Sequence, residues 1–480
     1  MASIKKNFVY STILTTANYI FPLITFPYLT RILGADLIGL CGFVDSIISY
    51  FVLFSMMGMN ILGIREIARA KNDTSRLSSV FSSLFTLNFI TTAIMMIVLV
   101  VVTMVVPKLH DNYDLMIIGG VKLMFNFLLI EWLYKGIEDF KYITVRSIIV
   151  KLFYVIAIVC LVKKKEDYDI YFLLTSLMIV VNAIINLNYS RRIVKFSLKN
   201  LEIGPYIKPF FLLGIYSLLT SMYTTFNVSY LGFVTTDYEV GYYTTASRLY
   251  AMAFSIYTAF SGVMIPRMSS MLSDGDMDQF KAMAEKSYSF LLFIAVPLVI
   301  LTVFNAPGIV LLIAGKGFEG AVLPMRILMF SMIIVGFELV LIEQILMPLK
   351  RDKAVLFNSI MGAVVGISLN LLLVPLMGSV GSAVVKFSCE LAVFIMAQYE
   401  VRKYISFGLP WKKCWQYFYA YFPLMIIEYF ITKLPYDAII ILLLSSLVCA
   451  IYFISVTKFI IKDFDMFSIF SRILSRKKSF

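Results

Sequence analysis

The sequence predicts an all-α integral membrane protein with about 14 transmembrane helices. It is 60% hydrophobic and 15% charged, and its mean hydropathy is +0.88. A soluble domain carries roughly 25% charged residues and about 45–50% apolar ones. The apolar runs, such as 93–106 and 439–447, do not alternate with polar residues as the strands of a membrane β-barrel do, so the spans are predicted to be helical.

Fourteen apolar segments fit the roughly 20 residues that a helix needs to cross a bilayer. They are predicted at 8–28, 37–62, 79–106, 115–134, 145–162, 168–189, 210–232, 241–265, 287–305, 325–347, 355–376, 380–398, 417–434 and 438–461. An even number of spans places both termini on the same side of the membrane.

Basic residues are unequally divided between alternate connections. The set of segments that includes both termini holds 29 of the 42 Lys and Arg, whereas the opposite set holds 7. Because basic residues collect in cytoplasmic loops, both termini are predicted in the cytoplasm. The lysines at 163–165 are a local exception that would lie outside. Trp132, Trp411 and Trp415 fall at predicted cytoplasmic span ends, where interfacial tryptophans are expected.

Two hairpins of the chain follow the same plan at an offset of 202 positions. Gly39 then falls on Gly241, and both hairpins turn at a polar elbow, with Asp36 in the first and Asp237 and Glu239 in the second. Duplication of a six-helix unit explains this similarity, but so does coincidence between any two glycine-containing membrane hairpins. Transporters are often built from such repeats, with the substrate site between them.

Duplication predicts three regions. Residues 1–200 would form an N-lobe of transmembrane helices 1–6, and residues 201–400 a C-lobe of helices 7–12. Residues 401–480 would add accessory helices 13 and 14 and a basic cytoplasmic tail.

Catalytic and cofactor motifs are not evident in the sequence. Gly-Lys-Gly at 315–317 lacks the spacing of a phosphate-binding loop, and the five scattered cysteines and single histidine form no zinc pattern. The longest predicted connections, 190–209 and 266–286, have about 20 residues, too few for a soluble catalytic domain. We therefore expect no enzyme, no catalytic residue, no cofactor and no metal. The net charge of +13 is assigned to cytoplasmic loops rather than to nucleic acid.

Charged side chains inside predicted spans are the candidate functional residues, because each is costly in hydrocarbon and commonly marks a pathway. Some have a local explanation. Lys386 and Glu390 lie four positions apart on one helix face and are predicted to pair with each other. Glu131 and Lys135 have the same spacing near a span end and are predicted to form an interfacial pair.

The remaining charges suggest a polar cavity. Lys122 and Arg248 have no obvious local partner, Asn126 lies one turn after Lys122, and Asp45 lies in the second span. Arg31 lies at the outer mouth of the first span. These five residues are the predicted substrate-binding set. For each of them, a role in holding helices together is the alternative.

Several segments resemble the Wzx-type polysaccharide flippases of the MOP superfamily, which also holds the MATE antiporters and the lipid II flippase. They are PYLTRILGADLIGL (27–40), GIREIARAKND (63–73), EWLYKGIEDFKYITVRS (131–147), EVGYYTTASRLY (239–250) and PLKRDKAVLFNS (348–359). The resemblance covers essentially the whole chain, and 131–147 is its most specific segment.

The resemblance implies a V-shaped transporter in the bacterial inner membrane. Such proteins move an undecaprenyl-pyrophosphate-linked oligosaccharide, as for O-antigen, from the cytoplasmic to the periplasmic leaflet, and cavity Lys and Arg meet the pyrophosphate. Membrane lipids, a polysaccharide polymerase and chain-length proteins are the implied partners. An ion-coupled multidrug antiporter of the MATE type is the alternative. It is disfavoured because 8–28 holds no carboxylate for cation coupling. A membrane glycosyltransferase is disfavoured by the short outer loops.

Overall fold

The computed structural model describes residues 4–199, 201–222 and 225–458, in which every regular element is helical. Ten helical stretches of these residues are long and apolar enough to cross a membrane, or up to 11 if the bent pair Gly204–Ser221 and Phe226–Val234 is one span. The predicted all-helical, multi-span architecture is confirmed.

The α-helices are numbered in chain order. They are α1 (Ile4–Met56), α2 (Met59–Ala70), α3 (Thr74–Val105), α4 (Pro107–His110), α5 (Tyr113–Asn126), α6 (Glu131–Gly136), α7 (Phe140–Leu161), α8 (Tyr168–Ser190), α9 (Gly204–Ser221), α10 (Phe226–Val234), α11 (Asp237–Ser273), α12 (Met277–Phe304), α13 (Ala306–Ile313), α14 (Val322–Leu339), α15 (Asp352–Tyr404), α16 (Trp411–Ile431) and α17 (Ala438–Val456).

Two helices are too long for a single crossing. α1 and α15 have 53 residues each. A straight helix of that length would measure about 80 Å, against about 30 Å of hydrocarbon. Each is broken at a glycine with positive φ, Gly34 at 77° and Gly378 at 55°. The halves of α1 carry the first two predicted spans and the halves of α15 carry the eleventh and twelfth, which accounts for part of the difference between ten stretches and 14 predicted spans.

The chain divides into two compact units. The first comprises the residues up to Thr245 together with Gly362–Val385, and the second comprises Ala246–Met361 together with the residues from Lys386 onward. These boundaries differ from 1–200 and 201–400, so the two six-helix lobes stay a prediction. Within the second unit, α16 and α17 pack on each other and on α12 and α13. The predicted basic tail lies outside the described residues.

An aromatic and aliphatic core in the first unit contains Trp132. Its side chain is 1% exposed, its ring centroid lies 5.6 Å from that of Phe81, and a Cβ on Gly63 would lie 2.8 Å from its ring. Trp132 is therefore a core residue rather than the interfacial anchor predicted. Trp411 and Trp415 are 61% and 54% exposed, in keeping with an interfacial position.

The two hairpins predicted as copies cross each other within the first unit, α1 against α11. A Cβ on Gly39 would lie 1.8 Å from the carbonyl oxygen of Asp237, and a Cβ on Gly241 would lie 2.0 Å from the carbonyl oxygen of Ala35. At an offset of 202, Ala35 corresponds to Asp237 and Gly39 to Gly241, so both helices contribute the same two positions. Reciprocal contacts of this kind are what a two-fold relation between copies produces, and they favour duplication over coincidence.

Both elbows are also anchored in the same manner. Asp36 of the first elbow lies 3.7 Å from Lys165, in the connection between the fifth and sixth predicted spans. Glu239 of the second accepts a 2.6 Å hydrogen bond from the backbone N–H of Ser379, beside the break at Gly378 between the eleventh and twelfth. Each elbow thus contacts the connection between the last two spans of its own predicted lobe.

Candidate functional site

The structure brings together two of the five predicted site residues. Lys122 on α5 donates a hydrogen bond to Asp45 Oδ1 on α1. Asp45 lies 11 residues beyond the break at Gly34. At 1.5 Å per residue this is about 16 Å along the helix, roughly half of the hydrocarbon thickness. The sequence alone shows no partner for Lys122, because Asp45 is 77 positions away; the structure corrects that expectation.

The two members of this pair differ in exposure. The Lys122 side chain is 18% accessible and that of Asp45 is 45% accessible. A carboxylate facing lipid at this depth would be strongly unfavourable, so the exposed part of Asp45 is expected to meet water or a polar ligand. Asn126 lies one helical turn after Lys122 and is half-buried. Residues four apart share a helix face, so Asn126 extends the polar surface that Lys122 begins.

Arg31 lies at the elbow rather than at bilayer depth. It is three residues before Gly34, its side chain is exposed, and its Nη1 donates a 2.6 Å hydrogen bond to the carbonyl oxygen of Pro27. A basic side chain near the C-terminal end of a helix also interacts favourably with the helix dipole. The structure therefore places Arg31 at one end of the first half of α1.

Arg248 belongs to the second unit. It lies 11 residues into α11 and is half-buried. That is about 16 Å from the start of its helix, the same depth as Asp45 from Gly34. The offset of 202 places Arg248 one position after Ser247, the counterpart of Asp45. Each unit thus holds one intramembrane cation of the predicted set.

Both predicted local ion pairs are present, and the pair of Glu131 and Lys135 includes a third residue, Arg146. Lys386 donates to Glu390, and Lys135 lies 3.2 Å from Glu131. Arg146 also lies 2.9 Å from Glu131, and its side chain is only 4% exposed. From sequence, Arg146 counts as part of a cytoplasmic segment. No helical spacing links it to Glu131, 15 positions away, so no sequence signal points to this contact.

A buried amide cluster in the first unit is also absent from the predicted set. Asn370 of α15 donates a 2.5 Å hydrogen bond to Asn227 of α10, which donates a 3.3 Å bond to the hydroxyl of Tyr243 on α11. All three residues are buried. Such bonds between helices hold membrane bundles together. The only sequence signal for them is an asparagine inside an apolar run, which carries no charge to single it out.

The predicted site offers charge and hydrogen bonds rather than bond-breaking chemistry. The described ranges contain no group of three or more His, Cys, Asp or Glu that could hold a metal ion. Lys122, Asp45 and Asn126 supply one cation, one carboxylate and one amide. A cation with amide donors suits a ligand that carries phosphate and hydroxyl groups.

Two family models match the chain. The model described as "Polysaccharide biosynthesis protein" matches residues 4–272, and the model described as "Lipid II flippase MurJ" matches residues 210–468. The first match alone covers more than half of the chain.

Two bacterial relatives bear the name "Putative O-antigen transporter". The protein of Escherichia coli (strain K12) is 25% identical over 331 residues, which is 68% of this chain and 79% of the relative. The protein of Shigella dysenteriae is 26% identical over 370 residues, which is 75% of this chain and 90% of the relative.

Solved structures show the same fold. Lipid II flippase MurJ in an inward closed conformation has a TM-score of 0.79 at 14% identity, over 97% of this chain and 99% of that one. An inward-facing MATE multidrug transporter of the MOP superfamily has a TM-score of 0.61 at 12% identity, over 80% of this chain and 95% of that one. At these identities the likeness is one of fold. The chain belongs to the family whose model is described as "Polysaccharide biosynthesis protein", and it has the fold of MurJ and of the MATE transporters.

Proposed function

We propose that this protein is a flippase that moves undecaprenyl-pyrophosphate-linked oligosaccharide repeat units from the cytoplasmic to the periplasmic leaflet by alternating access. The observation that carries the proposal is the Lys122–Asp45 pair, a cation held at bilayer depth beside a half-exposed carboxylate. The relatives named as O-antigen transporters supply the substrate class.

A pyrophosphate group loses its hydration when it crosses hydrocarbon, so the protein must replace water with charge. Lys122 supplies a point charge, and Arg248 supplies a fork that can bind two phosphate oxygens at once. Asp45 keeps Lys122 compensated while the site is empty, and Asn126 offers an amide to phosphate or sugar oxygens. Arg31, at the elbow, receives the head group as it leaves.

The proposal includes an orientation of the chain in the membrane. Both termini lie in the cytoplasm, on the inner side of the bacterial inner membrane, as the distribution of basic residues predicts. The exported repeat units would then pass to a polysaccharide polymerase and chain-length proteins in the periplasm.

Cysteine labelling tests this orientation. Lys164 and Arg192 are both exposed and lie on opposite sides in the proposal. In a background free of the five native cysteines, a membrane-impermeant thiol reagent should label Lys164→Cys and spare Arg192→Cys in cells whose outer membrane has been permeabilised. After the inner membrane is broken, both should react. The opposite pattern in intact cells would reverse the orientation.

A deletion strain tests transport and the site together. We expect the strain to lose surface polysaccharide while its lipid-linked repeat unit accumulates on the inner leaflet, and the wild-type gene to restore export. Lys122→Ala and Arg248→Ala should each restore export at least tenfold less well at normal protein level. Arg248→Lys should recover only part of the activity, because the fork geometry is lost.

Four outcomes would contradict the proposal or its site. A strain that fails to make the lipid-linked repeat unit would indicate a biosynthetic role. A strain with normal surface polysaccharide but altered drug sensitivity would favour the MATE-type antiporter. Full export by both alanine variants would remove Lys122 and Arg248 from the site, and scarce, poorly folded variants would show that they only hold helices together.

A further inference from the structure

A cleft in the first unit lies apart from the Lys122–Asp45 pair. It has a volume of about 480 Å³ and is formed by α7, α8 and the residues just before α7. Its lining residues combine charged, aromatic and aliphatic side chains; they are Asp139, Lys141, Tyr142, Val145, Arg146, Ile149, Val150, Ile185 and Tyr189. These residues lie at the predicted cytoplasmic end of the fifth and sixth spans.

One wall of the cleft is an ordered aromatic pair. The rings of Tyr142 and Tyr189 stack with centroids 3.9 Å apart and planes inclined by 17°. Their hydroxyls are held in place, since Tyr142 donates a 3.0 Å bond to the side chain of Asn186 and Tyr189 donates a 2.9 Å bond to Asp139. Tyrosines with an apolar body and a polar tip are typical of the membrane interface.

The aliphatic wall of the cleft lies one to two helical turns from the tyrosine pair along α7 and α8, and its side chains are exposed. Val145 is 45% exposed, Ile149 is 47% exposed and Ile185 is 38% exposed. Exposed aliphatic residues on a membrane-spanning helix face hydrocarbon, so this wall can accompany an acyl or isoprenoid chain.

The base of the cleft holds a buried cation with unused donors. Arg146 is 5% exposed and gives one nitrogen, Nη2, to Glu131. Its Nε and Nη1 have no hydrogen-bond partner among the described residues. Because these two nitrogens are buried, Arg146 acts on a group in the cleft through its charge rather than through direct contact.

The charge around the cleft is positive. Glu131 is shared by Lys135 and Arg146, which leaves one positive charge in that cluster. Asp139 adds one negative charge and the exposed Lys141 adds one positive charge. Both carboxylate oxygens of Asp139 already accept hydrogen bonds, one from the backbone N–H of Tyr142 and one from the hydroxyl of Tyr189. Lys141 is therefore the exposed cation that lines the cleft.

We propose that this cleft binds the phosphate of a lipid, with its hydrocarbon chain along the aliphatic wall and its head group beneath the tyrosine pair. Basic pockets between membrane helices on the cytoplasmic side bind anionic head groups in this way. Lys141 contacts the phosphate directly, and Arg146 supplies charge from the base. The inference does not depend on the transport proposal, because binding can occur without translocation.

Native mass spectrometry of the purified full-length protein tests the site. The probes are phosphatidylglycerol, undecaprenyl phosphate, zwitterionic phosphatidylcholine and inorganic phosphate. We expect one or both of the anionic lipids to bind more tightly than phosphatidylcholine. Lys141→Ala should weaken that binding about fivefold, because one basic residue near an anionic lipid strengthens binding by about that factor. Val145→Asp, which places a carboxylate on the aliphatic wall, should weaken it further.

Lys195→Ala is the matched control, because Lys195 is also exposed but does not line the cleft. It should bind as the wild type does. Preference for phosphatidylglycerol would identify a bulk membrane lipid, and preference for undecaprenyl phosphate an isoprenoid carrier. Equal binding of phosphatidylcholine, binding of inorganic phosphate alone, or binding unchanged in both Lys141→Ala and Val145→Asp would overturn the site. These results stand whether or not the protein exports polysaccharide.

Discussion

Gly241→Ala should destabilise the protein, whereas Gly262→Ala on the same helix should not. The added Cβ at position 241 would lie 2.0 Å from the carbonyl oxygen of Ala35, a distance at which α1 and α11 must move apart. Overpacking of this kind costs about 1–3 kcal/mol or more. A Cβ at Gly262 meets no atom within 4 Å, and that position is exposed, so alanine there gains up to about 1 kcal/mol from its higher helix propensity.

Thermal unfolding of the two purified variants, followed side by side in one detergent, measures this difference. Gly241→Leu should be worse than Gly241→Ala, because a longer side chain requires a wider separation. If Gly241→Ala unfolds at the wild-type temperature, the two helices do not approach as closely as described here.

Glu390→Leu should be among the most destabilising single substitutions in the second unit. Lys386 and Glu390 form an ion pair on α15, and their side chains are only 15% and 6% exposed. Removing one partner of a buried pair costs about 3–5 kcal/mol. The buried side chain of Glu338 on α14 is hydrogen-bonded to that of Glu390, so it is a second carboxyl near Lys386 and can offset part of that cost. Replacing both partners, as Lys386→Met with Glu390→Leu, removes the charge as well and should recover most of that loss.

A solvent-exposed ion pair provides the control. Lys71 and Glu138 lie 2.8 Å apart, and their side chains are 30% and 48% exposed. Exposed pairs contribute about 0–1 kcal/mol, so Lys71→Met should have little effect on unfolding. A Glu390→Leu variant as stable as the double variant would show that another carboxylate replaces Glu390; adding Glu338→Gln to it would then reveal whether Glu338 is that group.

The class of fold follows from sequence because membrane spans are recorded in local composition. Long apolar runs predict helices wherever they occur, and the Gly34 elbow is visible as a polar break between two of them. The 202-residue offset that aligns Gly39 with Gly241 does not by itself show duplication, because contacts between distant segments are not recorded in local composition. A match of two glycines says nothing about their distance, and only the structure shows that the two backbones touch.

The candidate site was partly predictable for a similar reason. Lys122, Asp45 and Arg248 stand out as charges within apolar runs, but pairing between distant helices depends on packing that periodicity does not encode. Arg146 lies near a span end, so from sequence it resembles an ordinary loop cation. Asn227 and Asn370 are uncharged, and their mutual contact joins positions 143 apart.

The crossing of α1 and α11 has a consequence for second-site suppression. Most packing defects can be repaired by trimming a neighbouring side chain. At Gly39 the nearest atoms are the carbonyl oxygen of Asp237 and the amide nitrogen of Gly241, and at Gly241 they belong to the backbone of Ala35. Every amino acid carries these atoms, so no substitution on the facing helix can make room. A lost glycine at this crossing can be regained only by reversion, or by changes elsewhere that shift a whole helix.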